Sequence, residues 1–337
     1  MDADEQRTEI DHTRSLIKEH TKRLRALQRQ VAQFGPHTPP HIQIDLDDTR
    51  SAVATLERHL AALEGRAPQS PGASVTAVPA AQRSGVALDL SHQQGKWDRF
   101  AAFSRQPGWQ FQIIDQGILH QRAEIERCAA LLVALPFDSL LSKDEIDFLD
   151  AWVLAGGGLL LLGNYAADTH HMGNPSALAR RFGMQFANDL ILPTERCSES
   201  DARIQPRSLN ADLAIKVTLA GDERHPILRG IREVAFLSAC SVEIVADVEG
   251  TAEYLLSAPA TSAVMRPRGI VDEDGWMPVI ERWELAQHAP APLLAACRHG
   301  RGHVVVVGSR KICTLDYRDN AALVRNILAW LAAPAGE

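Results

Sequence analysis

The feature that most constrains the fold is a regular alternation of apolar runs and amphipathic segments between residues 85 and 163. The runs GVALDL, WQFQIID, AALLVALP and GLLLLGN predict strands, and LHQRAEIERC and SKDEIDFLDAWVLAGG predict helices between them. The second of these helices opens with the capping-box-like segment Ser142-Lys143-Asp144-Glu145 and ends in glycine. Strands that are apolar throughout are typical of a parallel sheet that helices cover on both faces. The pattern therefore predicts a doubly wound, mostly parallel α/β domain.

The sequence that follows this alternation is less regular. Strands of a β-rich extension are predicted for ADLAIKVTLAG, VAFLSACSVEIVAD and TAEYLLSAP, and a hairpin is predicted for PLLAACRHGRGHVVVVGSRKI. The last amphipathic segment, NAALVRNILAWLAAP, predicts a closing helix. With these elements the α/β domain is expected to span residues 85–333.

The first 64 residues have a seven-residue apolar period instead. Two such series are separated by the segment GPHTPP at residues 35–40, and glycine and proline end helices. Residues 1–64 are therefore expected to form a helical hairpin with a coiled-coil-like seam. Because two helices bury little surface, the seam is expected to pack on something else, either as an oligomerisation arm or as a docking module for a partner protein. The partner-docking candidates are Ile10, Ile17, Leu24, Leu27, Val31, Leu46, Val53, Leu56 and Leu60.

Residues 65–84, GRAPQSPGASVTAVPAAQRS, separate the two segments. They are rich in Ala, Pro, Ser and Gly and contain few large apolar side chains, which is typical of a flexible linker. The sequence therefore predicts a domain boundary here.

Composition and charge exclude several classes of protein. The 337 residues carry a net charge of −7, and general nucleic-acid binding requires a basic face instead. The five cysteines are widely spaced and odd in number, which indicates reduced thiols and no disulfide framework. The N-terminus MDADEQRTEIDH is unlike a signal peptide, and no apolar run approaches the length of a membrane helix. We expect a cytoplasmic protein without membrane association.

The order of motifs in residues 85–333 resembles the glutamine-amidotransferase-like superfamily. The segments that carry the likeness are DLSHQ after the first strand, LPFDSLLSKDEIDFLDAWVLAGGGLLLLGN, NPSALARRFGMQFANDLI, HPILRGI, HGRGHVVVVGS and DNAALVRNILAWL. Within the superfamily the chain is more similar to the non-catalytic branch of DUF4350/GldG-like domains and of the N-terminal domain of the intraflagellar transport protein family.

Residues 5–64 separately resemble the helical, effector-associated adaptor modules of the death-like type in bacterial signalling and conflict proteins. The likeness is carried by LQRQVAQFGPHTPPHIQIDLDDTRSAVATLERHL. It implies adaptor-like docking or homo-oligomer formation, in a bacterial signalling or defence system.

The superfamily likeness also implies where catalysis would occur. A class I amidotransferase needs a cysteine nucleophile at the bend after the fourth main strand and a His-x-Glu pair just before the closing helix. Here the bend reads Leu162-Gly163-Asn164-Tyr165-Ala166, with Asn164 or its neighbour at the nucleophile position, and the late segment SRKICTLD, residues 309–316, contains no histidine. We therefore expect a non-enzymatic pseudoenzyme with no cofactor and no catalytic residue.

One polar cluster is the candidate ligand site. Polar residues follow the first and fourth strands of the predicted sheet, and α/β proteins bind ligands at the carboxyl ends of their strands. The candidates are Asp89, Ser91, His92, Gln93, Asn164 and Tyr165. Two alternatives stay open: a pocket that serves a hydrolase or a small-molecule sensor, or side chains that only satisfy buried polar groups. The segment Asp168–His171 is expected to be a solvated loop and not a metal site.

Overall fold

The computed structural model describes residues 13, 16–18, 21–27, 49, 53, 56, 60, 83–92, 111–134, 140–171, 173–196, 213–220, 225–245, 252–271, 279–288 and 290–333. The chain divides into two compact units, Met1–Thr76 and Ala77–Glu337. The division falls within the segment predicted as a linker, and the finer boundaries at residues 64 and 85 stay predictions.

In the first unit, every residue that the structure describes is helical. Six docking candidates are among them: Leu27 is buried, and Ile17, Leu24, Val53, Leu56 and Leu60 are half-buried. Ile10, Val31 and Leu46 lie outside the described residues. The predicted hairpin connection and the coiled-coil seam lie there as well, and both stay predictions.

The second unit is a mixed α/β structure. Its strands and α-helices are, in chain order, β1 (Val86–Asp89), β2 (Phe111–Ile114), α1 (Arg122–Arg127), β3 (Ala130–Ala134), α2 (Lys143–Leu154), β4 (Gly158–Leu162), α3 (Ala167–His171), α4 (Pro175–Ala179), β5 (Met184–Phe186), β6 (Leu190–Pro193), β7 (Ile215–Thr218), β8 (Glu233–Phe236), β9 (Val242–Ile244), β10 (Glu253–Ser257), β11 (Ser262–Val271), β12 (Val279–His288), β13 (Pro292–His299), β14 (Gly302–Val307) and α5 (Asn320–Ala332). Short 3₁₀-helices cover Arg180–Phe182, Thr194–Arg196, Pro226–Leu228 and Arg310–Cys313.

A seven-stranded sheet forms the centre of this unit, with the order β10-β13-β14-β4-β3-β1-β2. The neighbours from β14 to β2 are all parallel, whereas β13 is antiparallel to both β14 and β10. The predicted α/β class with a mostly parallel sheet is confirmed.

Both faces of the sheet are covered by other elements. Alternate side chains of each central strand point to opposite faces, so each strand contributes to two separate buried clusters. On one face Leu132 and Leu160 belong to a buried cluster with Leu323 and Ile327 of the closing helix α5. On the other face Leu159 belongs to a cluster that includes apolar side chains of α2. This double burial explains why the central strands are apolar at every position.

Helix α2 begins and ends as its sequence predicts. The Ser142 hydroxyl accepts a hydrogen bond from the Glu145 backbone, and the Glu145 carboxylate accepts one from the Ser142 backbone, which is a complete capping box. Gly156 follows the helix with φ of 100°, a conformation that glycine adopts without steric cost. The chain then enters β4 directly.

The β-rich extension is made of three further antiparallel sheets. Strands β12, β11 and β6 form a three-stranded sheet in that order, and β5–β9 and β7–β8 form two-stranded sheets. None of the described helices is long and apolar enough to cross a bilayer.

We expect a leucine-to-alanine change in the sheet centre to be costly and the same change on the extension to be mild. Leu132 is 0% exposed on β3, whereas Leu285 is 45% exposed on β12. Leu132→Ala should lower the free energy of unfolding by about 3 kcal/mol or more, because it leaves a cavity. Leu285→Ala should change it by about 0.5 kcal/mol or less. Urea denaturation followed by circular dichroism measures both, and equal losses would contradict the described packing.

Candidate functional site

The polar residues after β1 form one hydrogen-bonded cluster. Asp89, the last residue of β1, is 0% exposed. The Ser91 backbone and hydroxyl both donate to Asp89 Oδ1, at 3.0 and 2.6 Å. His92 Nδ1 lies 2.9 Å from Asp89 Oδ2. The turn after β1 is therefore folded around a buried carboxylate.

A second carboxylate reaches this cluster from α2. Glu145 Oε1 lies 3.4 Å from His92 Nε2, while Glu145 Oε2 accepts hydrogen bonds from the Ser142 backbone and hydroxyl, both at 2.8 Å. The imidazole of His92 is thus held between two carboxylates from different elements. We call Asp89, Ser91, His92, Ser142 and Glu145 the β1–α2 clasp.

The charge state of the clasp follows from these contacts. Burial alone would lower the pKa of His92, but its hydrogen bonds to Asp89 and Glu145 and the charges of both carboxylates raise that pKa to about 10. Burial alone would raise the pKa of Glu145. The hydrogen bond and charge of His92, together with the hydrogen bonds from Ser142, lower it instead. At neutral pH the clasp contains an imidazolium and ionised Glu145.

This arrangement limits the chemistry of Ser91. A hydrolytic serine needs a neutral imidazole that accepts its proton. The Ser91 hydroxyl donates to Asp89 at 2.6 Å and also lies 3.1 Å from His92 Nδ1, and both ring nitrogens of His92 face carboxylates. The imidazole that would have to accept the proton of Ser91 is thus already paired with two carboxylates.

The bend after β4 contains two consecutive residues with positive φ. Asn164 and Tyr165 are buried, but the backbone enters the left-handed region at Ala166 and Ala167, with φ of 50° and 29°. Positive φ is costly for a residue with a Cβ, so neighbouring groups must hold it. The Ala166 backbone donates to the Asp189 carbonyl at 2.7 Å, and the Tyr165 backbone donates to the carbonyl of residue 238 at 2.9 Å. The side chains presented at this bend are methyl groups, which cannot act as nucleophiles.

The extension covers the bend. Tyr165 and Ala166 belong to a buried cluster with Leu190, Met265 and Trp283. The Tyr165 and Trp283 rings meet edge to face with centroids 6.2 Å apart, and Trp283 is 2% exposed. The carboxyl end of β4 is therefore packed with apolar side chains.

The six ligand candidates consequently do not form one cluster. Asp89, Ser91 and His92 belong to the β1–α2 clasp, whereas Tyr165 packs against the extension. Strand β3 separates β1 from β4, which places these strands about 10 Å apart. Gln93 lies outside the described residues.

Two further carboxylates, the half-buried Asp168 and the buried Asp189, lie near the bend. Burial raises the pKa of Asp168 to about 6, although the backbone and hydroxyl of Ser176 donate to it. Burial also raises the pKa of Asp189, against hydrogen bonds from the Ser241 backbone and hydroxyl. Asp168 is half-buried in helix α3, so the expectation of a solvated loop at Asp168–His171 is wrong for this residue. Among the described residues no group of three or more His, Cys, Asp or Glu side chains could hold a metal ion.

Glu145 is predicted from the sequence only as a capping residue, and Asp189 and Trp283 are not among the predicted site residues. The contact between Glu145 and His92 is tertiary and joins positions that are distant along the chain, so no local pattern signals it. Trp283 lies on β12, in an extension whose packing the strand pattern does not specify.

Comparison with known proteins supports the fold. No family model matches the chain, and no curated protein matches it. Among solved structures, the mmIFT52 N-terminal domain is similar with a TM-score of 0.53 and 13% identity, and the match covers 75% of this chain and 99% of that chain.

Two further solved structures match less well. A putative ThuA-like protein from Bacteroides uniformis has a TM-score of 0.44 at 12% identity, with 77% of this chain and 94% of that chain covered. A putative GMP synthase protein from Thermoplasma acidophilum has a TM-score of 0.33 at 9% identity, with 74% and 95% covered. These two scores are too low to carry an argument, and the first match shows the fold alone.

We expect the β1–α2 clasp to make stability fall at alkaline pH. The pKa of His92 in the folded state lies above its value of about 6.5 in the unfolded chain. The stability that the charged imidazole contributes is therefore fully present below pH 6.5. This stability is lost as the pH rises from about 6.5 through 10. In urea denaturation at pH 6.5 and 9.5, the wild type should therefore lose more stability than His92→Gln, whose side chain does not titrate.

His225→Gln is the matched control for this experiment. Burial lowers the pKa of His225, the direction opposite to that of His92, so His225 contributes no loss of stability as the pH rises. Between pH 6.5 and 9.5 the control should lose as much stability as the wild type. An identical loss in His92→Gln would show that the clasp is not the cause.

Proposed function

We propose that this protein is a non-enzymatic scaffold that binds partner proteins through its N-terminal helical segment. The observation that carries the first half of the proposal is the bend after β4. In an enzyme with this strand arrangement the bend would present a nucleophile to an open pocket. Here it presents Ala166 and Ala167 beneath a layer of apolar side chains that includes Trp283.

The polar cluster after β1 supports the same proposal. A hydrolase that used Ser91 and His92 would need an imidazole able to take up a proton near neutral pH. The pKa of His92 is raised to about 10, so this imidazole already carries its proton. A small-molecule sensor at Ser91, His92 and Asn164 is the remaining alternative, but the clasp directs its hydrogen bonds inward to its own members.

The docking half of the proposal rests on the first unit. Ile17, Leu24, Val53, Leu56 and Leu60 are helical and remain half-buried. Apolar side chains that recur on helices without complete burial are typical of surfaces that pack on another protein. The proposed setting, a cytoplasmic bacterial signalling or defence system, rests on the sequence likeness alone.

We expect partner capture to depend on the apolar residues of this segment and not on its charges. Full-length protein carrying Leu24→Asp should lose its partner from the native host lysate, because a carboxylate cannot be buried in an apolar interface. Lys22→Asp, on an exposed position of the same helical segment, should retain it. The partner identified by mass spectrometry should then bind the purified wild type at least about tenfold more tightly than Leu24→Asp.

Three outcomes decide between the alternatives. Equal capture by both variants would remove the docking proposal, provided that circular dichroism shows unchanged helix content. Capture of only the protein's own chain would identify an oligomerisation arm. Hydrolysis by the purified chain that Ser91→Ala abolishes would overturn the non-enzymatic assignment.

A further inference from the structure

Strand β12 lies at the edge of its sheet. Within the order β12-β11-β6, it pairs with β11 alone among the described strands. Its register with β11 shifts once, between Val264 and Met265 of β11, and is regular from Val279 to Leu285 of β12. An edge strand presents backbone N–H and C=O groups with which a further strand can pair. Strand β12 therefore offers a regular stretch of backbone for strand addition.

Several other edges in the described structure are blocked or short. On β8 the Asn320 side chain takes the place of a neighbouring strand, because it exchanges two hydrogen bonds of 2.9 Å with the Ala235 backbone. Strand β10 pairs with β13 through two register shifts, which disturb the regular backbone of an edge. Strand β2 has four residues, whereas β12 has ten. Among these edges, β12 is the best suited to accept a further strand.

A depression of about 420 Å³ lies on the β11–β12 hairpin. Leu285, a large apolar side chain in its lining, is 45% exposed. A single exposed leucine is ordinary by itself, but this one lies beside a strand edge and two exposed arginines. Apolar, charged and backbone contacts are therefore available together. The residues that line the depression are Arg266, Arg268, Glu284, Leu285, Ala286 and Gln287.

The charge of this lining favours an anionic group. Arg268 Nε donates to Glu284 Oε2 at 2.9 Å. Arg266 lies opposite Glu284 in the register, but it has no ion-pair partner among the described residues. Its charge acts on Asp189, a buried carboxylate that instead accepts a hydrogen bond from the Ser241 backbone at 2.7 Å. The depression thus contains two guanidinium groups and one carboxylate, and the exposed Arg266 is left to bind an anion.

We propose that β12 docks an extended acidic segment of a partner protein, which adds a strand to the sheet and places a carboxylate at Arg266. In strand addition the backbone hydrogen bonds supply affinity, and the side-chain contacts supply specificity. A carboxylate suits Arg266 because a guanidinium binds it through two parallel hydrogen bonds. Alternate side chains of the added segment would cover Leu285. The surface belongs to the second unit, so this proposal does not depend on docking through the N-terminal segment.

The spacing of the strands permits the contact with Arg266. An added strand would lie about 4.8 Å from β12 and about 10 Å from β11. The long side chains of arginine and glutamate can together span that gap. Glu284 lies between them in the register, but its carboxylate is engaged by Arg268.

The same charges favour an acidic partner over a second copy of this chain. Pairing of two β12 strands would bring a second Arg266 and a second Arg268 to the same sheet. It would add one Glu284 for each such pair of arginines, so the excess of positive charge would remain. An acidic segment reduces that excess. Pairing between two copies is therefore an alternative outcome that the experiment must distinguish.

Fluorescence anisotropy with the full chain tests the charge requirement. The probe is a fluorescein-labelled peptide of alternating Glu and Val, as long as β12, beside the same peptide with Lys in place of Glu. The wild type should bind the Glu peptide at least about tenfold more tightly than the Lys peptide. Arg266→Glu should lose this tenfold and bind the Lys peptide more tightly than the wild type does. Arg298→Glu, at an exposed position on β13, is the matched control and should bind like the wild type.

Hydrogen exchange tests whether the peptide adds a strand. Bound Glu peptide should slow the exchange of backbone amides in fragments that cover residues 279–288 by several-fold, because edge N–H groups become hydrogen-bonded. Fragments of α2 should be unchanged. If Arg266→Glu does not fold, Leu285→Asp replaces it, because a carboxylate in the depression should weaken binding of the Glu peptide by about tenfold or more.

Four results would overturn the proposal. The first is the absence of Glu-peptide binding by the wild type at about 1 mM, the weak end of measurable affinity. The second is equal binding of that peptide by the wild type and by the folded variant. Binding without protection of residues 279–288 would indicate adsorption to a charged surface and not strand addition. A dimer in sedimentation equilibrium whose β12 amides are protected without peptide would identify a second copy as the occupant.

Discussion

The structure depends on the burial of its central strands on both faces. β3, β4 and β14 place apolar side chains above and below the sheet along most of their length, so both faces must be covered. Helix α5 covers one face and α2 covers the other. Polar side chains are consequently found near the ends of the sheet's strands, as in the clasp after β1 and at His303 near the start of β14.

The two ends of the sheet are stabilised by opposite electrostatic arrangements. At the carboxyl end of β1, His92 is buried with two carboxylates and is favoured as an imidazolium. Near the start of β14, His303 is buried with an arginine nearby and is favoured as a neutral ring. The surroundings of each side chain, and not the residue type, determine whether a buried histidine carries a charge.

The sequence predicts the regular part of this fold well, for a physical reason. The capping box at Ser142, the continuous leucines of β4 and the hairpin of β13 and β14 are local patterns, and each is present in the structure. These features depend on residues that are close along the chain, so they can be recognised from the sequence without knowing how the elements pack.

The candidate site is predicted less well. The sequence places Asp89 and His92 near each other, and they lie in contact, but the contact of His92 with Glu145 depends on how β1 and α2 pack. The bend is predicted at residues 162–166, but its positive φ angles at Ala166 and Ala167 are not predicted. The hydrogen bonds that hold its positive φ come from backbone carbonyls that are distant in sequence, such as that of Asp189.

The layer over the bend has a consequence for how this chain can change. A cysteine introduced at position 166 would lie among Leu190, Met265 and Trp283, and burial of this kind keeps a thiol protonated and unreactive. Uncovering position 166 without such a substitution would only expose methyl and indole groups to water. A reactive thiol at this position would require both the substitution to cysteine and the removal of the apolar layer. A single substitution at position 166 would therefore not place a reactive thiol at an open site.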